Sequence, residues 1–305
     1  MMTSVKKLSV SADQSGQRLD NFLKKTLKSI PKSLLYKIIR DGQVRVNKCR
    51  IKPSYRIQCD DIIRIPPLSS KKDSIIPSET ANSLIKKNII FEDEDLMVVN
   101  KPSGIAVHSG TKIKADVIGI LRTKEEYRNI GLVHRIDKYT SGCLVLAKNY
   151  KTASSLGLLF STQKVEKKYI ALLDGAIKKK SFSVSKPIQK KKIGGLEKMA
   201  VSQEGKESLT EYIVKKNFNK TTLVEVNIKT GRTHQIRVHS AEIGHPICGD
   251  VKYGNKAINK ELRKIGLQRI FLHSSKLSFF HKKKYTFTAE TPYDLNNILD
   301  TIKEK

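Results

Sequence analysis

Tryptophan is absent from this 305-residue chain, and all aromatics together make up 6% of it. Its four cysteines, Cys49, Cys59, Cys143 and Cys248, lie far apart, and no Cys-x-x-Cys or Cys/His spacing suits a zinc site. Reduced thiols in a cytoplasmic protein are therefore expected, rather than a disulfide framework. No hydrophobic run approaches a membrane span, and the opening MMTSVKKLSVSADQ lacks the apolar stretch of a secretory leader. Acidic residues are scarce too: 29 Asp+Glu face 59 Lys+Arg, a formal charge of +30. That imbalance argues against an acidic or neutral metabolic enzyme with no polyanionic partner, and for phosphate backbones or an anionic membrane surface as partner. Arginine is the rarer cation, 13 of the 59. Many lysines can be solvated surface, so the arginines, whose planar fork reads phosphate and carboxylate, are the more informative.

The length suits about two domains. Residues 1–13 read as a short strand or arm. Residues 14–66 read as one small basic unit. Leu19, Phe22, Leu23 and Leu27 recur at helical spacing, and Pro31 breaks that helix. Ser33 can cap a second helix with Leu34, Leu35, Ile38 and Ile39 on its apolar face. Asp41-Gly42 makes a turn, and short strands follow around Val44–Val46 and Ile62–Ile65. The unit holds 13 basic and 4 acidic residues. Lys32, Lys37, Arg40, Arg45, Lys48 and Arg50 are its candidate RNA contacts, with an ordinary solvated face as the alternative. Residues 67–88 read as a polar linker with one short helix. From 89 to 305 strands outnumber helices, which predicts an α+β domain on a mixed or antiparallel sheet. Lys178–Lys180 and Lys190–Lys192 bracket a segment with Gly194-Gly195, and a mobile basic loop over 178–206 is expected.

Two stretches carry the chemistry. In residues 131–142, Asp137 sits in a loop beside His134, Arg135, Thr140 and Ser141. It is a candidate catalytic carboxylate, or a loop Asp that caps backbone N–H groups. In residues 230–240, Thr233 can cap a helix that Gly244 ends, placing His234, Arg237 and Ala241 on one face. Arg237 could then pair with a carboxylate from elsewhere. The histidines have no acidic or thiol partners at ligand spacing, so no metal is expected.

At these residues the chain resembles the RluA-type pseudouridine synthases. HRIDKYTSG at 134–142, KKYIALL at 167–173 and GRTHQIRVH at 231–239 are similar to their three signatures, and KPSGIAVH at 101–108 to their entry strand and turn. The small unit, with GQRLDNFL, PKSLLYKIIRDGQVRVN and IKPSYRI, resembles an S4 RNA-binding domain. Within the family the likeness is strongest to enzymes of large-subunit ribosomal RNA, which implies 23S rRNA as partner. Relatives with the same signatures act elsewhere on rRNA or on tRNA.

The resemblance implies a reaction in which a uridine is flipped out, its C1′–N1 bond is broken, and C1′ is rejoined to C5. It implies that Asp137 is the essential carboxylate and that Arg237 pairs with it. Tyr169 would lie on the flipped base and Arg135 would fill the space the base leaves. His134 and Arg232 join Arg135 as candidate substrate contacts. An isomerisation needs no redox cofactor. A single chain is expected to suffice. Two other classes compete: a non-catalytic RNA-binding ribosome-assembly factor, and a glycosidase or nucleosidase. The latter normally needs a second carboxylate, and none lies in the three signatures.

Overall fold

The computed structural model describes residues 5–27, 32–67, 79–108 and 116–303. The chain divides into two compact units, Met1–Ile75 and Ile76–Lys305.

The small unit contains β1 (Lys6–Ser9), α1 (Leu19–Thr26), α2 (Lys32–Arg40), β2 (Arg45–Val46) and β3 (Ile62–Ile65). The strands form an antiparallel sheet in the order β1-β3-β2. The segment read as an arm thus contributes an edge strand. Helical spacing puts Leu19, Phe22 and Leu23 of α1 on one face, and they pack with Ile38 and Ile39 of α2 and Ile63 of β3. One carboxylate ties the helices together: Asp20 accepts from Arg18 at 2.7 Å and from the Tyr36 hydroxyl at 2.7 Å. The Arg18 hydrogen bond holds the Asp20 carboxyl down at about 2. Ser33 lies inside α2 rather than ahead of it, because the helix already begins at Lys32. Pro31 and the Lys32 side chain lie outside the described residues.

The large unit begins with α3 (Glu79–Lys87), the helix expected in the linker, whose Ile85 is fully buried in this unit's core. There follow β4 (Ile89–Glu92), β5 (Leu96–Lys101), α4 (Val117–Leu121), β6 (Gly131–Leu132), β7 (Ser141–Ala147), α5 (Tyr150–Ser161) and β8 (Val165–Asp174). Then come β9 (Ser181–Ser185), β10 (Ile188–Ile193), β11 (Leu196–Val201), β12 (Leu209–Asn217), β13 (Thr221–Ile228), α6 (Gln235–Glu242) and α7 (Lys256–Lys264). The last elements are β14 (Leu272–His281), β15 (Lys283–Thr288) and α8 (Tyr293–Lys303). Ten strands make one mixed sheet, β4-β5-β7-β14-β8-β13-β12-β9, with β6 on β7 and β15 on β14. The pairing of β7 with β14 is parallel; the other pairings of this sheet are antiparallel.

The parallel contact brings the two backbones very close. A Cβ on Gly142 (φ +111°) would stand 2.2 Å from the Ser274 carbonyl oxygen, so the second residue of β7 must be glycine. The loop ahead of that contact carries Asp137.

The segment 178–206 differs from its expected form. It is mostly strand: β9 pairs with β12 at the sheet edge, and β10 and β11 form an antiparallel hairpin with Gly194-Gly195 at its turn. Runs of lysine hid a hairpin whose strands are joined by a two-residue glycine turn.

Candidate active site

Asp137 is presented by the loop between β6 and β7. Ile136 before it and Thr140 after it are buried, which fixes the loop at both ends. The turn after β5 holds the far side. Gly104 N–H and the Lys101 ammonium both donate to the Lys138 carbonyl, at 2.9 and 3.1 Å. Lys101 is fully buried and also donates to the carbonyls of Pro102 and Ile105, both at 2.8 Å. Burial draws its pKa down to about 7. The Asp137 side chain is left 28% exposed, open to solvent on one side.

Arg237 reaches it from α6. Its Nη1 donates to Asp137 Oδ2 at 2.8 Å. Its Nε and Nη2 fork onto Asp250, at 2.7 and 2.9 Å. Asp250 is 1% exposed at its side chain, and its Oδ1 also accepts the N–H groups of Lys252 and Tyr253. Burial works against the Arg237 cation, but Asp250 and then Asp137 outweigh it and raise its pKa. The guanidinium also lies over the Tyr253 ring, 5.0 Å from its centroid.

His234, not Thr233, stands at the N-cap position of α6, and its side chain makes no capping hydrogen bond. It adopts a left-handed conformation (φ +56°), so the chain turns one residue later than expected. Gln235 steadies that turn: its Oε1 accepts from Arg232 N–H at 3.0 Å and from the Thr230 hydroxyl at 2.7 Å. His234 Nδ1 pairs with the Tyr253 hydroxyl at 2.9 Å, and Nε2 lies 3.8 Å from Asp137 Oδ2. Burial lowers the His234 pKa, against the pull of Asp137.

Asp137, Arg237 and Tyr169 line one cleft of about 440 Å³, together with His134, Arg135, Arg232, Phe160, Lys167 and Leu272. Tyr169 is 7% exposed, and burial raises its pKa. The ring of His134 stacks on Phe160 at 4.4 Å. Its Nε2 accepts the Val145 N–H at 2.9 Å, and burial with the Lys167 charge holds its pKa down to about 3. That neutral ring has its Nε2 committed to the backbone, so it serves the cleft as a wall. Arg135 is exposed, and Arg232 donates from Nε to the Glu207 carbonyl at 3.1 Å.

The three signatures that resemblance singled out thus meet at one cleft. Comparison with known proteins agrees. Residues 95–242 match the RNA pseudouridylate synthase family and residues 17–63 the S4 domain. The chain is 43% identical to ribosomal large subunit pseudouridine synthase C of Pasteurella multocida, over 99% of this chain and 95% of the relative.

The chain belongs to the RNA pseudouridylate synthase family.

It is likewise 41% identical to the Haemophilus influenzae protein of the same name, over 99% of this chain and 96% of that one. The synthase shares its fold with human RNA pseudouridylate synthase domain containing 4, at TM-score 0.62 and 24% identity, over 73% of this chain and 96% of that one. It is therefore an RNA pseudouridine synthase, an isomerase, built from an S4 domain and an α+β catalytic domain.

Sequence reasoning missed three residues of the synthase site. Asp250 is a second carboxylate, brought from outside the signatures. Both of its oxygens are used by Arg237, so it serves the arginine. Gly249 (φ +77°) places it, since a Cβ there would stand 2.1 Å from the Arg269 carbonyl oxygen. The sequence signal was a lone Asp after Cys-Gly, which names no partner. The other two are Lys101 and Lys167, lost among 46 lysines. Among the described residues no group of three or more His, Cys, Asp or Glu is placed to hold a metal ion. No helix there is long and apolar enough to cross a membrane.

Proposed function

We propose that this synthase converts uridines of 23S rRNA, in the large ribosomal subunit or its precursor, to pseudouridine, with Asp137 as the carboxylate that starts the reaction. The observation that carries the reading is the grip on Asp137. One N–H of a buried arginine holds one carboxylate oxygen, while the rest of that guanidinium is locked on Asp250. Such a clamp holds Asp137 in one aim and leaves its other oxygen for the substrate.

The flipped uridine enters the cleft with its ribose at Asp137 and its base on Tyr169. Arg135, exposed at the cleft, fills the space the base leaves, and Arg232 meets a phosphate. His134 shapes the wall on which the nucleotide rests. Every group named comes from one chain, so a monomer suffices. In the small unit, Lys37, Arg40, Arg45, Lys48 and Arg50 are exposed and none joins an ion pair among the described residues, which suits them to phosphate contact. Lys32 of the same helix belongs with them. The names of the two bacterial relatives support the large-subunit target, and a ribosomal substrate implies the bacterial cytoplasm.

Mapping pseudouridines in total RNA from cells with and without the protein tests this. Loss of specific large-subunit sites, restored by the wild-type protein and not by Asp137→Asn, is the expected result. Loss confined to tRNA or small-subunit RNA overturns the target; restoration by Asp137→Asn overturns the chemistry.

A further inference from the structure

β8 carries Lys167 and Tyr169 two residues apart, so their side chains share one face about 6.6 Å apart along the strand. Both line the cleft. Lys167 is 6% exposed. Burial alone acts on its ammonium, and no carboxylate lies within ion-pair distance of it among the described residues. Other buried cations of this unit are treated differently: Lys101 has three carbonyls and Arg237 two carboxylates. A desolvated cation without a counter-charge costs folding free energy. Retaining one at the wall of a reaction cleft marks a group whose partner arrives with the substrate.

We propose that Lys167 is a catalytic residue that stabilises the uracil anion released when the glycosidic bond breaks. The inference rests on the reading of the cleft as the seat of the flipped base. When C1′–N1 breaks, the bonding pair leaves with the ring, and the negative charge spreads to O2 and O4. This holds whether Asp137 bonds C1′ or takes the 2′ proton. The charge is absent from bound uridine and grows toward the transition state, so a cation fixed in place acts on the barrier more than on binding. Rejoining C1′ to C5 uses the pair and frees Asp137, by displacing its carboxylate from C1′ or by returning the proton to C2′. The C5 proton then goes to a base and N1 gains one, so the product is an isomer and the ammonium keeps its three protons.

A phosphate is the poorer occupant. It is strongly hydrated, whereas the surroundings of Lys167 are the neutral His134 ring on Phe160 and the buried Tyr169. Base rings suit such walls.

The test compares wild type, Lys167→Met, Lys167→Arg and Asp137→Asn on unmodified large-subunit rRNA transcript, by single-turnover rate, RNA affinity and thermal unfolding. Lys167→Met is expected to slow the saturated rate by about a hundredfold or more with affinity within about threefold, and Lys167→Arg to recover most of it. Lys167→Met should unfold at or above the wild-type temperature, because it removes an uncompensated charge. A near-normal rate in Lys167→Met, a loss confined to affinity, or a lower unfolding temperature with Lys167→Arg no faster than Lys167→Met, overturns the proposal. Turnover by Asp137→Asn would instead remove the reading of the cleft itself. An inactive Asp137→Asn beside an active Lys167→Met removes only the role of Lys167.

Discussion

Arg45 and Arg50 of the small unit lie on its surface with backbone carbonyls as their hydrogen-bond partners, whereas Arg237 of the large unit is buried between two carboxylates. Exposed cations move, are screened by salt and contribute little to folding, but each can displace a counterion from RNA. A buried, forked arginine is held in one geometry and can hold another group in turn. The difference separates attraction from chemistry. Under the proposed function, one unit finds phosphate of any sequence and the other fixes a single carboxylate.

That contrast can be broken most severely at Asp137. Asp137→Asn should lower single-turnover rate by about a thousandfold or more while RNA affinity stays within about threefold, because a nucleophile or base is lost but no phosphate contact. A filter-binding curve beside a product assay checks both halves. Tyr169→Phe comes next, with about a hundredfold loss of rate if its hydroxyl moves a proton, and unchanged affinity. A near-normal rate would reduce Tyr169 to a stacking surface.

Asp250→Ala tests the clamp from behind. It leaves a buried guanidinium with half its partners, so stability should fall by about 3 kcal/mol, and a misaimed Asp137 should slow turnover by up to about a hundredfold. Denaturant unfolding and single-turnover kinetics should both respond, which Asp137→Asn would not produce. On the other side of the contrast, Arg50→Gln should leave the saturated rate intact and reduce the slope of log affinity against log salt by about one. An unchanged slope would detach the small unit from RNA anchoring.

The smallest effect concerns Asp20, the one carboxylate of the small unit that pairs with an arginine among the described residues. Its folded pKa of about 2 lies below its ordinary value of 3.8. The stabilisation is therefore complete above the ordinary value and fades as pH falls toward 2. Asp20→Asn should destabilise the small unit near neutrality, and the gap from wild type should shrink in urea melts taken near pH 2.5.

Periodicity alone placed α1 and α2, because each buries an apolar face. The basic hairpin of β10 and β11 escaped that logic, since its strands carry lysines and their order comes from backbone pairing. The start of α6 escaped it too. His234 takes a left-handed conformation that local propensity disfavours and that its bond to Tyr253 supports.

Composition and three short motifs determined the family and picked out Asp137, Tyr169 and Arg237 as candidates, because each motif keeps its candidate residue at a fixed distance from a strand or a turn. Tertiary structure alone decided what those residues are held by. Asp250 lies 13 residues beyond Arg237, and Lys101 and Lys167 are 36 and 30 residues from Asp137 along the chain. Counter-charges and desolvation act through space, so a buried arginine's second carboxylate, a caged lysine and a lysine with no carboxylate beside it become visible only once β5, β7, β8 and α6 have been brought to the same cleft.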